Sequence, residues 1–116
     1  MKTLLASALF LLAPMGAHAA CAPTDFAVQD FKIAANNGRV SLKGQLVNHC
    51  AEAAAAQVTI EAKDSAGNVL VSKKGWPAGT ANIAPGQAVD FDLGRLFRYQ
   101  SDMQSFTAGV ADVRTW

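Results

Sequence analysis

From Phe26 onward, apolar and polar side chains alternate over short runs, and clusters of Gly, Asn, Asp and Pro interrupt those runs about every ten residues. Period-two alternation places one set of side chains on each face of an extended strand, so each run can bury one face and wet the other. Strands of this kind between tight turns are expected to build an all-β domain of about seven antiparallel strands, a sandwich or barrel. The clearest of them is Arg39–Asn48, with Val40, Leu42, Gly44 and Leu46 on one face and Arg39, Ser41, Lys43 and Gln45 on the other. Asn36-Asn37-Gly38 precedes it, and Asn-Gly supplies the positive φ angles of a tight hairpin. The strand before that turn, carrying Phe26, Val28, Phe31 and Ile33, is therefore expected to pair antiparallel with it. Its alternation changes phase near Asp30, which marks a bulge or kink.

The next segment is a contest between propensity and pattern. Ala51-Glu52-Ala53-Ala54-Ala55-Ala56 favours helix, but Val58, Ile60 and Ala62 alternate with Thr59, Glu61 and Lys63. That alternation leads straight into the turn Asp64-Ser65-Ala66-Gly67-Asn68, so Ala55–Lys63 reads as a strand and the earlier alanines as a link with room for one helical turn. Val69, Leu70 and Val71 return as its partner, ending near Lys73. Residues 75–80 read as a loop, because two glycines and Pro77 are costly in a central strand. After the Pro85-Gly86 turn, Val89, Phe91 and Leu93 alternate with Asp90 and Asp92 as a half-buried strand. A loop over 94–103 and a last strand over 105–113 complete the pattern.

Residues 1–19 follow different rules. Lys2, an apolar run from Leu4 to Ala13, Pro14 and the small-residue stretch Gly16-Ala17-His18-Ala19 have the order of a bacterial secretory signal. The apolar run is shorter than the roughly 20 residues a bilayer-spanning helix needs, so the segment is expected to be cleaved. The remainder, residues 20–116, is expected to be one domain delivered to the periplasm or beyond the cell. Disulfides persist there, and Cys21 and Cys50 are expected to bond to each other. Closing that loop would stabilise the fold by about 3 to 4 kcal/mol. The spacing matches neither a zinc pattern nor a C-x-x-C redox pair. The alternative of a lipid anchor on Cys21 is disfavoured by His18, which stands where a lipoprotein signal has an apolar residue.

Without Lys2 the exported chain carries nine Lys and Arg against nine Asp and Glu. No basic stripe follows the sequence, so nucleic acid is not an expected partner. Nor is an anionic membrane, because Lys73-Lys74 is the nearest approach to a basic cluster. Chemistry is equally sparse. His49 is the one histidine past the leader and lies beside Cys50, which leaves no base for a nucleophilic triad. A metal carrier using His49 and Met103 is a minor alternative, since nothing between them has ligand spacing. Asp90 and Asp92 share a strand face, as glycosidase carboxylates can, but alternating acids are also the wet face of a half-buried sheet, which is the reading adopted. Asp64 to Asn68 lacks the oxygen ligands and the closing Glu of a calcium loop. No catalytic, cofactor-binding or metal-binding residue is assigned, and the chain is expected not to be an enzyme.

The candidate interface residues are Trp76, in a loop between Gly75 and Pro77, and the group Phe97, Arg98 and Tyr99. Trp, Tyr and Arg dominate interface energetics. The competing role for Trp76 and Phe97 is to fold back and cap an open end of the sandwich, and Trp116 could either close the sheet or project from it.

The order Val40-x-Leu42-x-Gly44-x-Leu46-x-Asn48, then Val58-x-Ile60 leading to Asp64-x-x-Gly67, then Ile83-x-Pro85-Gly86 and a strand with Phe91, resembles the FxLYD-type immunoglobulin-like modules of bacterial exported proteins. It covers residues 40–93. At the signature itself the family's F, L and Y positions are Ile60, Ala62 and Lys63, and only Asp64 is kept. The resemblance implies an immunoglobulin-like antiparallel β-sandwich, a non-catalytic accessory or adhesion-like module whose partner is another exported or envelope protein. The rival expectation is an inhibitor or immunity protein directed at an exported hydrolase.

Overall fold

The computed structural model describes residues 21–116; the expected signal segment and its cleavage point lie outside them. Six strands follow a short 3-10 turn at Pro23–Asp25: β1 (Phe26–Asn36), β2 (Arg39–Asn48), β3 (Ala55–Lys63), β4 (Val69–Gly75), β5 (Ala88–Asp92) and β6 (Ser105–Arg114). They form two three-stranded antiparallel sheets, ordered β1-β2-β5 and β4-β3-β6. Of the sandwich and barrel that the alternation allows, the all-β sandwich is the observed fold.

The hairpins form where the turn chemistry demands. Asn37 and Gly38 take φ of 53° and 77°, and Asn36 pairs with Arg39 across the turn. Asp30 sits at φ 54° where the register slips between Gln29 and Lys32, so Asp30 and Phe31 both face Gly44. At the second hairpin, the Asp64 carboxylate accepts hydrogen bonds from the amides of Ala66 and Asn68 at 2.9 Å each, and Gly67 takes φ 88°. Those same bonds hold the Asp64 carboxyl below the ordinary carboxylate range: the Asn68 amide contributes most, burial opposes, and the Asn68 side chain and the Ala66 and Gly67 amides add to the lowering.

The facing sides of the two sheets supply the core. Val40, Leu42 and Leu46 of β2 meet Val58, Ile60 and Ala62 of β3, with Phe26, Phe91, Leu93, Phe97, Met103 and Phe106 filling around them. Alternation in β3 wins over alanine helix propensity because its buried face has a sheet to pack against; residues 50–52 form bends, and no helical turn precedes the strand.

Two expectations need correction. Among the described residues the strand count is six, not about seven: residues 76–87, broken by Pro77, Gly79, Pro85 and Gly86, form no strand of their own and meet the sandwich through the bridge of Ala54 with Ile83 and the backbone hydrogen bonds of Gly86 and Gln87 with Asn48. β4 also runs past Lys73 to Gly75, which pairs with Val58 and whose missing side chain leaves room for Leu93; a Cβ there would sit 2.9 Å from its Cδ2.

Cys21 and Cys50 are bonded, with Cα atoms 5.9 Å apart, which engages the sulfur a lipid anchor would need. Next to the bridge lies the one buried polar side chain of the core among the described residues, Asn48. Its Nδ2 donates to the carbonyls of Glu52 (2.9 Å) and Ile83 (2.7 Å), and its Oδ1 accepts from the Cys50 amide (2.7 Å). Its own backbone pairs with Gln87 and Gly86. One side chain thus ties the end of β2, the alanine link and the bridging Ile83 segment together.

Candidate functional site

β6 separates the candidate interface residues into two groups. Where β6 ends, the Trp76 and Trp116 rings meet edge-on with centroids 5.8 Å apart, and the Arg114 guanidinium lies 4.8 Å from the Trp116 centroid and 5.7 Å from that of Trp76. Asn82 fixes this arrangement: its Oδ1 accepts from the Trp116 amide at 3.0 Å, and its Nδ2 donates to the Trp116 carbonyl at 3.2 Å. Trp116 therefore neither closes the sheet nor hangs free; it docks on Trp76 with 45 % of its surface exposed. Trp76 is half-buried and Arg114 exposed.

Where β6 begins, Phe97 packs edge-on against Phe106, with centroids 5.7 Å apart, and is buried. Its ring caps the sandwich, while Arg98 beside it is exposed and Tyr99 is half-buried against the core. Phe106 and Arg114 are eight residues apart along one strand, about 26 Å at the usual rise, so Trp76 and the Phe97 to Tyr99 group do not share a patch.

The second group is positioned by the crossover from β5 to β6. Leu93 donates its amide to the Leu42 carbonyl at 3.0 Å, a 3-10 turn follows at Gly94–Leu96, and Gly94 lies so close to β2 that a Cβ there would overlap the Val40 carbonyl. Asp92 clamps the crossover. Its Oδ1 accepts from the amides of Leu42 (3.0 Å) and Gly94 (2.9 Å), and its Oδ2 from Ser41 Oγ (3.2 Å). Burial opposes its charge, but the Gly94 and Leu42 amides, Ser41 and nearby Lys43 outweigh that and hold its carboxyl below the ordinary range. Asp90, its neighbour on the same strand face, instead accepts from Gln45 of β2 at 3.0 Å. Asp92 is thus more than a wet-face acid, which its alternation with Val89 and Phe91 did not reveal.

His49 is exposed and donates its amide to the Asp25 carbonyl, while Met103 is buried in the core. Among the described residues no three His, Cys, Asp or Glu side chains come together as ligands, and no helix is long and apolar enough to cross a membrane. Comparison of the chain with protein-family models, with curated proteins and with solved structures gives no match.

Proposed function

We propose that this chain is a non-catalytic protein-interaction module of the immunoglobulin-like, FxLYD-related kind, exported to the bacterial periplasm and binding another exported or envelope protein. The observation that carries the reading is the Trp76, Arg114 and Trp116 cluster: two edge-on indoles and a guanidinium packed together at the surface, with Trp116 nearly half exposed. Trp and Arg held in one conformation lose little entropy on binding and offer apolar area with a polar rim. The disulfide fits an oxidising compartment, and the leader-like residues 1–19 supply the route to it.

The test is crosslinked capture from a periplasmic extract of the native host. The wild type should enrich one partner, and the Trp76→Ala/Trp116→Ala variant, folded by circular dichroism, should lose most of it. Equal capture by both would remove the cluster from the proposal. A hydrolase as the captured protein, with its activity lost on adding the pure module, would assign the inhibitor role instead of the accessory one.

A further inference from the structure

The charge balance of the exported chain is even along the sequence but not in space. An open cleft of about 830 Å³ lies between β4, the turn after β5 and the start of β2, and Arg39, Lys73, Arg95 and Arg98 all line it. Four of the chain's ten Lys and Arg residues meet there, drawn from three separate segments, and no carboxylate lines the same cleft. Asp92 lies in the hollow that adjoins it through Arg39 and Arg95, but both of its oxygens already accept hydrogen bonds from Leu42, Gly94 and Ser41. The apolar part of the lining, its floor, comes from Val71, Leu96, Phe97 and Met103. Val71 and Lys73 stand two apart on β4, so they share the inward face of a strand whose other edge has no strand partner among the described residues.

We infer that this cleft binds an extended acidic segment of a partner protein, with carboxylates on the arginines and an apolar side chain between them on the floor. The inference rests on the interaction-module reading and names the chemistry of the partner. Three of the four cations are arginines, whose planar fork donates two parallel hydrogen bonds to one carboxylate, and four like charges gathered with no carboxylate in the cleft itself favour an anionic guest. The unpaired edge of β4 offers main-chain groups to an extended peptide alongside. Nucleic acid fits less well, because the one aromatic ring of the floor, Phe97, is buried and edge-on to Phe106, with no face free for a base. A bilayer fits less well because the charges line a recess, not a convex face.

The probe is the peptide acetyl-Glu-Leu-Glu-Leu-Glu-amide, titrated into the isotopically labelled, disulfide-bonded exported protein and followed by amide chemical shifts. Saturable shifts should centre on β4 and residues 95–103, and a Lys-for-Glu version of the peptide should produce none. Arg95 and Arg98 are exposed, so Arg95→Glu/Arg98→Glu should keep a dispersed spectrum and bind the acidic peptide roughly tenfold or more weakly. The absence of saturable shifts, or shifts unchanged in that variant, overturns the inference. Vesicles of phosphatidylglycerol that compete with the peptide for the same amides overturn the peptide assignment in favour of a lipid headgroup. Partner capture that survives the Arg95→Glu/Arg98→Glu change while the peptide fails to bind sinks the cleft and leaves the interaction reading standing. Capture lost only on changing Trp76 and Trp116, with peptide binding intact, locates two separate contacts and retains the cleft.

Discussion

Asn48 and Gly94 carry constraints that their residue types do not announce. An asparagine at a strand end reads as turn chemistry, and nothing in the alternation of Arg39–Asn48 shows that its amide will be buried against the carbonyls of Glu52 and Ile83. The partners come from positions 50, 52 and 83, so the hub exists only once the chain is folded. Replacing Asn48 by Ala removes three hydrogen bonds, leaves the part-buried Glu52 carbonyl and Cys50 amide without this partner and the Ile83 carbonyl with Ala54 alone, and should lower stability by about 2 to 3 kcal/mol, seen as an earlier urea midpoint with an unchanged slope. Gly94 is constrained by contact: its Cα faces the Val40 carbonyl with no room for a methyl group. Gly94→Ala should cost about 2 to 3 kcal/mol, which lowers the melting temperature of a domain this size by roughly 10 °C or more. Either variant melting within a degree or two of wild type would contradict the role given to that residue.

At the scale of elements, the hairpins were legible and the crossover was not. Asn-Gly and Asp-x-x-Gly fix their own backbone angles locally, so β1 with β2 and β3 with β4 follow from neighbouring residues, and the phase change at Asp30 foretold the bulge. The passage from β5 to β6 depends on β2, which lies about 50 residues earlier, and its clamp, Asp92, looks like any alternating acid in sequence. For the same reason the basic cleft escaped a linear reading: Arg39, Lys73 and the pair Arg95 and Arg98 are brought together only by the two sheets. Asp92 makes a pH prediction. Its carboxyl is lowered in the folded state, so its contribution is complete above the unfolded value near 3.9 and is lost as pH falls through the lower folded value. Asp64 acts in the same direction in the same window. Asp92→Ala should lose about 1 to 2 kcal/mol at pH 7, and its stability should fall less steeply than the wild type's below pH of about 4. Parallel pH profiles for the two proteins would show that the clamp does not depend on the charge.

For the whole molecule, the sandwich and the disulfide followed from sequence because alternation, and the oxidising compartment expected from the leader-like residues 1–19, each impose a global constraint. The strand count did not, since the glycines and prolines of residues 76–87 leave a segment that docks through Ile83, Gly86 and Gln87 without forming a strand. Removing the bridge with Cys21→Ser/Cys50→Ser should cost about 3 kcal/mol, measured by urea unfolding against the oxidised protein. The two candidate groups lie at the two ends of β6, and the function proposed for the chain depends on the end that carries Trp76, Arg114 and Trp116. The most direct test puts a photoreactive phenylalanine analogue in place of Trp116, and separately in place of exposed Ile33 on the other sheet, in the native host. A single discrete adduct from position 116 and none from position 33 is the expected result; no adduct from 116, or the same adducts from both, would contradict an interaction module that binds through this cluster.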